Sequence, residues 1–238
     1  MVNTLFPLTV TGATARRSGR DLIGPIDLHL SGAPCTMVIG PNGSGKTTLL
    51  RLLSGAARLG AGQINWASDA DYLRAAQAFV FQRPVMLRRT VLQNLCYPLQ
   101  LRGVSRVQAR RRAEEWAAKV GLTDLLDRPA PALSGGEQQK LALARALITN
   151  PKVLFLDEPC AALDGRAMRE VEAILQAAKT AGTRLIMSTH DMGQARRLAD
   201  EVLFLLHGKL HEHTPAAEFF AAPQTPQAAA FLNGDIVE

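Results

Sequence analysis

The stretch Gly40-Pro-Asn-Gly-Ser-Gly-Lys-Thr47 constrains this chain more than any other part of it. An apolar run, Cys35–Gly40, leads into it, and a helical run, Lys46–Leu53, leaves it. Glycines let successive backbone N–H groups turn inward with no side chain in the way. The helix start behind them carries a partial positive charge. Lys46 adds a full charge that reaches β- and γ-phosphates, and the Thr47 hydroxyl suits Mg2+. Strand, glycine-rich turn and helix in that order predict a loop that holds polyphosphate. Its residues are Gly40, Pro41, Asn42, Gly43, Ser44, Gly45, Lys46, Thr47 and Thr48. A plain glycine turn with a surface lysine leaves the flanking elements unexplained.

Further β-branched apolar runs read as strands: Ala78–Gln82, Lys152–Glu158, Arg184–His190 and Glu201–Leu206. They are continuously apolar, which favours strands buried on both faces of a parallel sheet with helices between them. Pro25–Ser31 instead alternates, with Ile26, Leu28 and Leu30 on one side, and predicts an antiparallel element near the amino terminus. The expected fold is α/β, a phosphate-loop NTPase core with a mostly parallel sheet. Residues 1–238 form one domain, with a largely helical subdomain inserted at 83–150 and a short tail of small capping helices at 208–238. In the insertion, Ser105 and Gln108 suggest a capping box. Ala109, Ala113, Trp116 and Val120 give its apolar stripe, which Gly121 ends. In Arg166–Lys179, Met168, Val171, Leu175 and Ala178 recur at helical spacing.

The formal net charge is +6. A basic balance suits nucleic acid or a membrane surface, but much of it sits in Arg110, Arg111 and Arg112, just ahead of Glu114 and Glu115. That spacing reads as a solvated helix face. No apolar run approaches the roughly 20 residues that span a bilayer. The opening MVNTLFPLTV has no basic start and no cleavage site, so a cytosolic chain is expected. Cys35, Cys96 and Cys160 are too far apart for a disulfide framework or zinc site, so reduced thiols are expected. His207, His211 and His213 cluster near the carboxyl end; solvated histidines on a turn outweigh a metal site there.

Asp157 and Glu158 end an apolar strand, where two acids are costly unless a cation or a proton relay uses them. Beside a phosphate loop, Asp157 would hold Mg2+ through its water shell and Glu158 would polarise the attacking water; a polar strand end facing solvent is the alternative. The run Leu133–Leu147, LSGGEQQKLALARAL, opens with Ser134 and Glu137 at capping-box spacing. That explains the serine and the glutamate but not Gly135 and Gly136, because glycine only weakens a first helical turn. A phosphate approaching bare N–H groups does explain them. The first loop already occupies one side of a nucleotide, so this helix start would serve the nucleotide of another subunit.

With these features the chain resembles the ATP-binding cassette of ABC transporters over nearly its whole length. The motifs, in order, are Gly40–Thr47, Gln82, LSGGEQQ at Leu133–Gln139, VLFLDEP at Val153–Pro159, AALD at Ala161–Asp164 and His190 in STHD. The resemblance implies ATP and Mg2+ as cofactors, with Thr47, Gln82 and Asp157 around the metal and Gln82, Glu158 and His190 at the reaction. It implies a homodimer in which Ser134, Gly135 and Gly136 face the γ-phosphate of the partner's ATP and Asp164 couples the two sites. Departing from the family pattern, no aromatic residue stands where adenine is usually stacked; Arg16 or Arg17 would substitute through a guanidinium plane.

The resemblance further implies work for a membrane permease, and indirectly for a solute-binding protein, at the inner face of the cell membrane. Met86, Leu87, Val91 and Leu95 would form a groove for the permease, or else pack the insertion's own core. The text FQRPVMLRRTVLQNL and the tail look most like importers of inorganic oxyanions, tungstate first and phosphate second; amino acids and metal ions stay open as cargo. A soluble cassette acting on nucleic acid, or a binding module without turnover, are the rival classes. Neither fused cassettes nor coiled-coil insertions appear, and Glu158 and His190 are both present. No nucleic acid is therefore expected as a partner.

Overall fold

In the computed structural model, which describes residues 5–17, 20–235 and 237, the continuously apolar runs lie side by side. Strands β1 (Leu8–Arg17), β2 (Arg20–Leu30) and β4 (Ala61–Trp66) make one sheet, and β3 (Cys35–Ile39), β5 (Gln77–Val80), β6 (Val153–Asp157), β7 (Arg184–Ser188), β8 (Glu201–Leu206) and β9 (Lys209–Pro215) make another. The larger sheet runs in the order β5-β6-β7-β3-β8-β9 and is parallel except for β9. The smaller sheet, β2-β1-β4, is antiparallel. Helices α1 (Lys46–Leu53) and α2 (Ala70–Ala76) follow β3 and β4. The segment between β5 and β6 carries α3 (Val91–Leu101), α4 (Arg106–Lys119) and α5 (Gly135–Leu147). Helices α6 (Gly165–Thr180) and α7 (Met192–Leu198) flank β7, and α8 (Ala216–Ala221) and α9 (Pro226–Asn233) close the chain.

The central positions of the parallel strands are nearly all apolar because both faces are covered, with polar residues mainly at the strand ends and at Thr36. Cys35, Met37 and Ile39 of β3 face one core with α5, α6 and α7, while Val38 faces the other, with α1 and the antiparallel sheet. Leu154 and Leu156 against Val153 and Phe155 repeat this split in β6. A third cluster lies within the insertion, where Val91, Leu95, Ala109 and Ala113 are fully buried. Helix α5 serves two clusters: Leu143 and Leu147 face the sheet, and Leu141 and Ala144 face the insertion. No helix among the described residues is long and apolar enough to cross a membrane.

Three sequence expectations change. The tail begins with a strand, not a helix: β8 and β9 form a hairpin whose turn residues His207 and Gly208 have φ of 49° and 73°, the geometry of a tight two-residue connection. The inward residues Glu212 and Thr214 of β9 are polar, which hides the strand pattern. Strand β5 ends at Val80, so Phe81 and Gln82 belong to the following loop. Ser105 does accept the Gln108 N–H at 3.4 Å, whereas the full reciprocal box forms at Thr90–Gln93 and Ser134–Glu137.

Candidate functional site

The phosphate loop bridges the end of β3 and the start of α1. A side chain at Gly40 would run into the Leu205 carbonyl oxygen, so packing alone demands glycine there. Gly45 precedes α1 at φ 103°, and no side chain caps the helix; the first-turn N–H groups are left for an outside acceptor. The Ser44 hydroxyl is buried and finds no partner. An orphaned donor inside a loop of inward-turned backbone fits an oxyanion. Lys46 is 6% exposed and donates to the carbonyls of Gly40 at 2.9 Å and Pro41 at 3.1 Å. Burial pulls its ammonium below the usual lysine range, and Glu158 and Asp157 oppose that pull. Its Nζ lies 3.9 Å from a Glu158 oxygen.

Strands β6 and β7 bring the acids to this loop. Asp157 is 2% exposed, and its Oδ1 accepts from Thr47 Oγ1 at 2.8 Å and Ser188 Oγ at 3.0 Å. Glu158 turns out of the sheet at φ 46°, held by its N–H to the Ser188 hydroxyl at 3.1 Å. That turn aims its carboxylate between two other predicted residues: Oε2 accepts from Gln82 Nε2 at 3.0 Å and meets His190 Nδ1 at 3.2 Å. Gln82, Glu158 and His190 are 76 and 32 positions apart in pairs, so only the sheet joins them.

For a metal, Thr47 Oγ1 and Asp157 Oδ1 are adjacent hard oxygens beside Lys46 and the loop. Among the described residues no cluster of three or more His, Cys, Asp or Glu could hold an ion alone. A pair of protein oxygens completed by phosphates and water is what Mg2+ takes at nucleotide sites, and these residues fit it. Gln82 stands bonded to Glu158 here, not to Thr47 or Asp157. The carboxyl-terminal histidines are dispersed: His213 meets Glu201 at 3.1 Å, and His211 lies edge-on against Phe204.

The second glycine motif stands elsewhere. Ser134, Gly135 and Gly136 share a separate concavity of about 480 Å3 with Asp164 and Arg166. Ser134 caps α5, and Glu137 accepts from its N–H and its hydroxyl, both at 2.8 Å. Those two donors hold the Glu137 carboxyl below the usual range. A methyl on Gly136 would stand 3.0 Å from Ala167 Cβ, so packing accounts for part of that glycine. At Gly135 a methyl would meet nothing within 4 Å, and its φ is not left-handed. Among the described residues nothing asks for glycine at 135. The Asp164 carboxylate accepts from Arg166 N at 2.9 Å and Ala167 N at 2.8 Å, which makes it the cap of α6.

The Arg17 side chain lies outside the described residues, so the stacking expected of it is not placed. The sequence reading missed Leu22. It is 44% exposed and lines the hollow of Asn42, Gly43, Lys46 and Thr47. Two adjacent apolar residues, Leu22 and Ile23, of which a strand can turn only one to the core, are the available signal.

A groove of about 330 Å3 lies beside Gln82, lined by Phe81, Val85, Leu87, Tyr97, Leu101 and Arg145 among others. Val85 and Leu101 are 66% and 69% exposed. Of the four residues expected there, Leu87 lines it, whereas Val91 and Leu95 are fully buried in the insertion's core. Met86 is half-buried and packs on two cores. The basic run on α4 is a solvated face: Arg110 pairs with Glu114 at 2.8 Å and Arg111 with Glu115 at 3.1 Å.

Comparison with known proteins places this geometry. A family model described as ABC transporter matches residues 23–161. The tungstate uptake system ATP-binding protein TupC of Peptoclostridium acidaminophilum is 36% identical over 86% of this chain and 97% of its own length. The phosphate import ATP-binding protein PstB 2 of Natronomonas pharaonis is 35% identical over 97% of this chain and 87% of its own length. A histidine/lysine/arginine/ornithine transport ATP-binding protein, HisP of Salmonella typhimurium, is 34% identical over 93% and 94%. The solved cbiO1 of Clostridium perfringens, part of the ABC transporter complex cbiONQ, superposes with a TM-score of 0.80 at 26% identity, covering 96% of each chain. With a family match over more than half its length and relatives of this identity, the chain belongs to the ABC transporter family.

Proposed function

We propose that this ATPase is the energy-coupling subunit of an importer, acting as a homodimer on permease subunits at the cytoplasmic face of the membrane, with an inorganic oxyanion, tungstate first, as the cargo. The observation that carries the dimer is the separation of two half-sites on one chain. The phosphate loop and Glu158 line one hollow, with Asp157 buried behind Thr47, while the bare start of α5 at Gly135 opens from another. In a two-fold pair each hollow can complete the other's, and Asp164, in the second hollow, would link the two.

In that site Ser44, Lys46 and the first-turn N–H groups of α1 bind the phosphates. Thr47 and Asp157 would hold Mg2+, which when bound would supply positive charge against the phosphates. Glu158 accepts a proton from the attacking water, and Gln82 and His190 fix its carboxylate in place. Leu22 offers an apolar surface near the loop for the nucleoside. The groove at Phe81, Val85 and Leu101 is the seat for a permease helix, and a solute-binding protein would deliver cargo from the far side. Tungstate rests on the likeness to TupC; phosphate, amino-acid or metal-ion cargo is the second reading. The paired arginines on α4 support a partner other than nucleic acid.

Two measurements test the proposal. Glu158→Gln should bind Mg-ATP with turnover reduced at least about a hundredfold and should scatter as a dimer; unchanged turnover removes the assignment. Deleting the gene should abolish tungstate accumulation and leave phosphate and histidine uptake intact. Loss of another solute instead reassigns the cargo.

A further inference from the structure

The end of the parallel sheet opposite the phosphate loop carries a cavity of about 470 Å3 that the chemistry above does not use. Its walls are apolar: Trp116 from α4 and Val120 just after it, Leu147 from α5, and Ile174 and Ala178 from α6. Its floor is Asn150–Lys152 and Gly182–Thr183, the segments that lead into β6 and β7. The size is that of a small-ligand site.

The charges around it are of one sign. Lys119 and Lys152 line the cavity, and an adjoining hollow of about 320 Å3 shares Lys152 and adds Arg184. Among the described residues none of these three has an acidic partner at ion-pair distance. Cations on neighbouring faces are paired, as Lys140 is with Glu170 and Lys179 with Asp200. The Lys119 ammonium lies 5.0 Å from the centre of the Trp116 ring, beside the apolar wall. Apolar walls disfavour a small hydrated anion, and ammonium groups without an acidic partner favour an anion over a neutral oil. What satisfies both is an anion with an apolar body.

We propose that this cavity binds a single-chain acyl carboxylate, its tail between Trp116 and Ile174 and its headgroup between Lys119 and Lys152. Trp116 and Ile174 each pack on both the sheet core and the insertion core, so the occupant ties α4 to α6. The site shares no residue with the nucleotide end, and it stands whether or not the importer reading does.

Decanoate titrated calorimetrically into the nucleotide-free protein tests it, with 1-decanol and acetate as the uncharged-tail and tail-less arms. Decanoate should bind saturably at one per chain, with decanol and acetate each at least about tenfold weaker. The double variant K119Q/K152Q should weaken decanoate about tenfold and leave decanol unchanged. Both lysines are on the surface, and retained ATP turnover confirms the variant's fold. Decanoate that fails to saturate, decanol that binds as tightly, or a double variant that binds like the parent each overturns the site. The isotherm is read without ATP, so its failure is distinct from a failure of the transport assays.

Discussion

Replacing Gly135 by alanine should move stability and activity in opposite directions. The new methyl meets nothing within 4 Å in this chain, and the backbone there is not left-handed. Alanine is favoured over glycine in a helix by about 1 kcal/mol in the interior, and by roughly half of that in a first turn. The nucleotide-free protein should therefore gain about 0.5 kcal/mol, read as a rise in Tm of about 1–2 °C for a chain of this size. In the proposed dimer the same methyl would stand where the partner's γ-phosphate approaches the α5 N–H groups. Losing one charge-assisted contact of about 1.5–3 kcal/mol lowers turnover about tenfold or more. Gly136→Ala is the internal control: its methyl presses on Ala167 Cβ at 3.0 Å, so Tm should not rise. The assays are thermal denaturation by circular dichroism and phosphate release at saturating Mg-ATP. A G135A protein that melts lower, or that turns over like the parent, refutes the argument that only an outside phosphate explains this glycine.

Two more substitutions separate core from surface. Leu95→Ala removes a fully buried side chain and should cost about 2–5 kcal/mol, measured by urea unfolding. Val85→Asp, at a residue 66% exposed, should change stability by less than about 0.5 kcal/mol yet abolish co-purification with the permease. Glu137→Ala should destabilise by about 1 kcal/mol at neutral pH. The Glu137 carboxyl is depressed in the folded chain, so its contribution is present above the usual 4.5 and lost as pH falls through the lower folded value. The gap between parent and variant melting curves should narrow as the pH is lowered below 4.5; a gap that does not narrow contradicts the capping role.

The parts of the fold legible in the sequence are those dictated by local chemistry. β3, β6, β7 and β8 declared themselves because both faces are covered and nearly every interior position is apolar. The glycine loop could be read because its backbone demands glycine whatever surrounds it. β1 went unread: its register slips between Val10 and Ala13, so the alternation of Leu8 and Val10 breaks at Gly12. β9 hid behind its inward Glu212 and Thr214. In the insertion, apolar spacing flagged Val91 and Leu95 but could not distinguish the face turned to the core from the one turned to the groove. The meeting of Gln82, Glu158 and His190 followed only from family likeness, since no local pattern brings together three loops of one sheet.

The central claim is that one chain's phosphate loop faces the other's α5 start across shared ATP. Cys35, Cys96 and Cys160 are all buried, so introduced thiols would be the accessible ones. In a Glu158→Gln background, the double variant N42C/S134C can be oxidised with and without Mg-ATP and its mass read on a denaturing gel. The account predicts a linked species of twice the 25.7 kDa chain that forms only with the nucleotide. A chain that binds Mg-ATP yet runs only at its single mass after oxidation would contradict it.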